Sequence, residues 1–161
     1  MTVGLVLNLV RAAGEEIGWR GYLLTRLVDA GVPRPVLVHA VLWALWQLPL
    51  ILAGVLWVEH PDPVIAALVV TVSTVPLGFL LARIRLSSGS VWPCVVAHGA
   101  WTGIIAGVFW PAAAAGGASA AVWVGTEAGL LVAVALLMVA VVVCAGTWTC
   151  RRTPDDPGTS L

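Results

Sequence analysis

The chain has little charge. Only 10% of its 161 residues are charged, against about 25% in an ordinary soluble domain. Lysine is missing altogether: all eight basic residues are arginines, and eight acids bring the formal net charge to zero. Without a basic stripe there is no electrostatic footprint for nucleic acid, so no nucleic-acid partner is expected. Cysteine is scarce too. Cys94, Cys144 and Cys150 are odd in number and lack metal-motif spacing, and they lie in or beside apolar spans. They read as buried free thiols. The N-terminus lacks a basic n-region and a small-residue cleavage site, so a signal peptide is not expected. Internal repeats are absent, and low complexity is confined to a small-residue connector at 112–121.

What the chain has is apolar length. It is 60% hydrophobic with nine tryptophans and seventeen glycines, and its mean hydropathy is +1.01. Several apolar runs reach the roughly 18 residues that mark a membrane-spanning helix. Five segments follow, at about 3–25, 35–57, 64–82, 91–110 and 121–147. At 1.5 Å rise per residue each reaches roughly 30 Å. Breakers separate them: Gly31 and Pro33, Pro61 and Pro63, Ser87-Ser88-Gly89, then Pro111 and Gly116-Gly117. The expected fold is all-α, a polytopic membrane helix bundle of about five transmembrane helices. It forms one integral-membrane domain over 1–150, followed by a short polar tail at 151–161.

Arginine placement orients the bundle. Arg26 and Arg34 flank the first connector, Arg83 and Arg85 the third, and Arg151 and Arg152 follow the last span. The second and fourth connectors hold no arginine; Glu59, His60 and Asp62 lie in the second. By the positive-inside rule the arginine side, with the C-terminus, is cytoplasmic. Trp57, Trp92, Trp110, Trp123 and Trp148 sit near segment ends, as an aromatic belt would.

The first segment breaks the apolar pattern with Gly14-Glu15-Glu16-Ile17-Gly18-Trp19-Arg20-Gly21-Tyr22-Leu23-Leu24. An ionised group near the bilayer centre costs about 2.5–3.5 kcal/mol on insertion scales, and such groups usually pair, face protein or act. Glu16 and Arg20 are four residues apart, the spacing at which opposite charges meet on a helix. Glu15 is one residue back, about 100° round the helix, and is expected to be free of that arginine. Arg11, Glu15, Glu16 and Arg20 load the first span heavily. We therefore expect further helices before it in the full protein, with a receiving partner chain as the alternative.

Other polar groups fall at a similar depth. Counting from the cytoplasmic arginines, Glu15, Gln47 and His98 are each about 16–20 Å along their helices. Three helices thus present polar groups at one level, as either a shared intramembrane site or a buried structural cluster would. Level with an unpaired Glu15, His98 fits a general base or acid, with a metal ligand and a hydrogen-bonded interior histidine as alternatives. Thr102, one turn on, fits a hydroxyl donor or helix packing. His39 and His60 read as solvated or interfacial.

At this point the residues resemble a family. Glu15-Glu16-xxx-Arg20 followed by Gly21-Tyr22-Leu23-Leu24 is similar to the first motif (EExxxR) of the CPBP group, the CAAX-protease and bacteriocin-processing (Abi) intramembrane proteases. Trp43-Ala44-Leu45-Trp46-Gln47-Leu48-Pro49 resembles the second, an aromatic followed four residues later by histidine. Ser90-Val91-Trp92-Pro93 through His98-Gly99-Ala100-Trp101-Thr102 resembles the third, a histidine followed four residues later by asparagine or aspartate. The resemblance covers about 12–110. Two positions depart: Gln47 stands where the family has histidine, and Thr102 where it has asparagine.

The resemblance implies a hydrolase, a protease that cleaves a peptide bond of a membrane-associated protein or peptide. Bacterial relatives make the bacterial plasma membrane the expected location. By the resemblance, Glu15 activates the attacking water, Glu16 and Arg20 hold its geometry, and His98 assists. Gln47 and Thr102 stand where supporting or oxyanion-stabilising groups belong. Members have been described both as metalloproteases and as metal-independent glutamate enzymes. A divalent metal such as zinc, if present, would fall to Glu15 and His98. Glutamine is a poor metal ligand, which makes a tight zinc site thin here. The alternative is a catalytically lapsed relative acting as a membrane scaffold or a bacteriocin-immunity-like protein.

Overall fold

The computed structural model describes residues 2–53, 63–104, 111 and 134–142. Helix α1 (Thr2–Glu16) runs through a wider π-helical stretch, Ile17–Leu23, into α2 (Leu24–Asp29). Then come α3 (Pro35–Leu52), α4 (Pro63–Ser88) and α5 (Trp92–Ile104). Residues 134–142 are helical as well, and no strand occurs among the described residues. The fold is all-α.

Local chemistry sets the ends. Past α2, Gly31 takes φ 65°. Its N–H reaches the Val28 carbonyl while the Val32 N–H reaches that of Leu27, each at 3.0 Å. This crossed pair is the Schellman stop that a glycine makes possible. Pro35 then opens α3 at its first turn, where a missing N–H costs nothing. Helix α4 runs past the expected end at 82 to Ser88, whose hydroxyl donates to the Ile84 carbonyl at 2.7 Å and so stays within the last turn. Gly89, at φ 68°, ends it. The Ser90 hydroxyl accepts from the Trp92 N–H at 3.3 Å and starts α5.

The most extensive packing is α3 on α4 and α1 on α5. Both pairs depend on a glycine. A Cβ on Gly78 would lie 3.0 Å from the Trp43 ring and 3.2 Å from the Ala40 backbone, and one on Gly99 would lie 2.6 Å from the Leu9 side chain. Small residues at crossings are how membrane helices approach closely, since lipid gives no hydrophobic drive for association. Trp43, Leu81 and Cys94 form one buried cluster with Trp19, Leu77, Ile84 and Ala97 around it. The Cys94 thiol is buried and donates to the Leu81 carbonyl at 3.2 Å.

Large apolar side chains also cover the outside: Val6, Leu7 and Val10 on α1, Leu45 and Trp46 on α3, and Leu68 and Val72 on α4. Facing water, such continuous apolar cover would be a liability, whereas facing lipid it is expected. Among the described residues, Pro35–Leu52 and Ala67–Ser88 are long and apolar enough to cross a membrane. The second connector, most of the expected fifth span, Cys144, Cys150 and the 151–161 tail lie outside the described residues.

Candidate active site

The site starts where α1 changes pitch. Gly18 and Gly21 weaken the α-helical preference of the stretch that follows Glu16. There the Leu24 N–H reaches back five residues to the Trp19 carbonyl. π turns of this kind are frequent at functional sites. Glu16 ends α1 and Arg20 lies within the π turn, and both are fully buried. Arg20 Nη1 donates to Glu16 Oε1 at 2.7 Å, the pairing that their spacing predicts.

The second bond to that carboxylate comes from 82 residues away. His98 Nδ1 lies 2.8 Å from the same Glu16 Oε1. An ionised carboxylate only accepts, so His98 donates to it from Nδ1. Trp43 packs against both partners. Its ring lies 4.0 Å from Arg20 Cζ, a cation–π stack, and meets the His98 ring edge-on at 5.5 Å and 82°. A buried ion pair holds only where such geometry offsets desolvation. Glu16 Oε2 and Arg20 Nε and Nη2 have no hydrogen-bond partner among the described residues.

Glu15 is not free. Its Oε1 accepts from Arg11 Nε at 3.2 Å, and its Oε2 is buried without a partner among the described residues. It lines an open groove of about 370 Å³ with Gly14, Gly18, Trp19, Leu23 and Trp46. His98 instead lines a narrower cavity with Gln47, Thr102, Trp43, Ser73 and Arg11. Its water-accessible volume of about 30 Å³ is room for one or two waters. Of the three residues expected at one depth, Gln47 and His98 share this cavity, together with Thr102 one turn on, whereas Glu15 lines the groove. The carboxylate bonded to His98, however, is Glu16. The 100° between neighbouring helix residues turns Glu16 inward and Glu15 toward the groove.

Thr102 lines the cavity, but its hydroxyl is directed at the His98 and Gly99 carbonyls, each at 3.2 Å. That is ordinary back-bonding within α5. His39, expected at a wet interface, is completely buried, because the π turn lies over α3 and sets Trp19 edge-on against its ring at 6.1 Å. Sequence reasoning gave no site role to Arg11 or Ser73. The signal for Ser73 was its polarity inside an apolar span, and for Arg11 its four-residue spacing from Glu15.

The donor set does not fit a resident metal. Glu16 Oε1 already accepts two bonds and Glu15 Oε1 is held by Arg11. Gln47 is a neutral amide, and no group of three or more His, Cys, Asp or Glu converges among the described residues.

A family model described as type II CAAX prenyl endopeptidase Rce1-like matches residues 1–104. The chain belongs to this family. Neither a curated protein nor a solved structure matches it. Membership in the Rce1-like family, together with the two apolar helices, makes this an integral membrane protein of the CAAX-protease kind. A membrane-associated protein is the substrate class that goes with that kind.

Proposed function

We propose that this Rce1-like chain is an intramembrane endopeptidase that hydrolyses a peptide bond of a membrane-associated protein or peptide with a glutamate-activated water. The observation that carries the proposal is the buried Glu16–Arg20–His98 network beside a cavity with room for water. Water attacks the peptide carbonyl carbon, and Glu15, whose Oε2 is uncommitted among the described residues, takes its proton. Arg11 is about half exposed and can swing off the other oxygen. Glu15 passes the water's proton on to the leaving amine, while Glu16 and Arg20 hold His98 in place to assist. The C–N bond then breaks, and one carboxylic acid and one amine leave. No step is routed through a metal. The proposed setting is the bacterial plasma membrane, with the arginine-bearing connectors and C-terminus cytoplasmic.

A second reading, a lapsed protease serving as a scaffold or immunity-like protein, is favoured by Gln47 at the histidine position and by the Thr102 hydroxyl turned onto its own helix. Cleavage of a membrane-anchored reporter library in proteoliposomes separates the two. The endopeptidase cleaves as wild type, falls silent as Glu15→Gln and ignores chelator. A wild type that is silent until Gln47→His restores turnover identifies the lapsed enzyme.

A further inference from the structure

Several of the proton-bearing and proton-accepting groups around the His98 cavity are committed. Ser73 donates to the Val69 carbonyl at 2.9 Å, and Thr102 donates within α5. His98 Nδ1 is bonded to Glu16. Two atoms of the lining residues stand out: the Trp43 Nε1–H, a donor only, and Gln47 Oε1, an acceptor. Both are buried and have no hydrogen-bond partner among the described residues. They belong to residues four apart on α3, on one helix face, and both residues line the cavity. Trp43 is 1% exposed. Native proteins rarely leave buried polar atoms unpaired, and an orphan donor and an orphan acceptor on residues that line one cavity point to an occupant that supplies one of each.

We propose that Trp43 Nε1–H and Gln47 Oε1 form a subsite for the backbone of the substrate, taking the C=O and the N–H of one extended residue. The proposal rests on the endopeptidase reading and deepens it. A residue in extended conformation turns its own N–H and C=O to the same side, as it does when it faces a hydrogen-bonded partner in an antiparallel ladder. The need is specific to a membrane. A helix in lipid satisfies its amides internally, and a segment unwound for hydrolysis exposes groups that no water is there to meet. Trp43 and Gln47 meet one such pair beside His98. Between substrates a water fits the same place, and a peptide group that reproduces its bonds displaces it. On this account Gln47 holds the substrate at a position where the related proteases carry histidine.

Binding can be read apart from turnover. Fluorescent membrane-anchored peptides from the reporter library are titrated onto Glu15→Gln protein in vesicles, then remade with one backbone amide at a time replaced by an ester. One ester position is expected to weaken binding about tenfold, the size of one lost hydrogen bond in a dry site. On the same background Gln47→Met weakens the parent peptide about as much and no longer distinguishes ester from amide at that position. Trp43→Phe, which keeps an aromatic ring over Arg20, also weakens the parent peptide. Equal ester discrimination with and without Gln47 overturns the subsite, as does the failure of every library member to bind folded protein. If Trp43→Phe does not fold, the Gln47→Met and ester arms decide alone. Peptides that bind in this pattern while the wild type cleaves none of them would sink the endopeptidase reading and leave the subsite standing.

Discussion

Glu15 and Glu16 are neighbours in sequence and opposites in surroundings. The Glu16 side chain is 0% exposed and shares one oxygen between Arg20 and His98, both of which pack against Trp43. The Glu15 side chain is 15% exposed, borders an open groove, and is paired with an Arg11 that is itself 54% exposed. Adjacent carboxylates therefore divide the labour. The one with every neighbour fixed holds the architecture, and the one with a movable partner is free to take part in chemistry.

The comparison breaks most visibly at Glu16. Glu16→Gln leaves Arg20 buried without its counter-charge, and loss of one partner of a buried pair costs about 3–5 kcal/mol. Thermal unfolding in detergent should show a large drop, with activity lost along with the fold. Glu15→Gln is the mirror case. Cleavage should fall by about 10²–10⁴-fold, the usual contribution of a general base, while the unfolding transition stays close to wild type. Equal destabilisation by the two variants would erase the distinction drawn here.

A smaller effect tests the support beneath the Glu16 network. Gly78→Val pushes a side chain toward the Trp43 ring and the Ala40 backbone, and overpacking of this kind costs about 1–3 kcal/mol. Because Trp43 touches both Arg20 and His98, part of the loss should register as weakened Trp43-dependent peptide binding. The smallest effect is expected at Arg11. Exposed ion pairs are worth about 0.2–1 kcal/mol, so Arg11→Met should barely move stability. If Arg11 only covers Glu15, the same variant raises the cleavage rate; a fall would show that Arg11 itself helps the reaction.

Much of this layout was legible beforehand, and the misses have identifiable causes. The four-residue spacing rule paired Glu16 with Arg20 correctly. It applies equally to Arg11 and Glu15, so the expectation of an unpaired Glu15 failed against a signal the sequence already held. Counting depth along helices brought Gln47 and His98 to one cavity but failed for Glu15, which lines the groove instead. It could not say which carboxylate meets His98, because depth is a one-dimensional measure and facing depends on rotation. His39 was misread for the same reason: its place near a helix end said nothing of the π turn that covers it.

Sequence by itself determined what is local or compositional in this protein. Apolar length made the helices and their lipid-facing surface, glycines and prolines set their ends, and residue spacing fixed the two ion pairs. Only the tertiary structure decided what lies far apart along the chain: the bond between Glu16 and His98, and the Trp43 ring packed against both Arg20 and His98. The physical reason is directional. Local pattern fixes which residues share a helix face, whereas hydrogen bonds and ring contacts depend on how whole helices rotate and approach, and the close packing at Gly78 and Gly99 sets that approach.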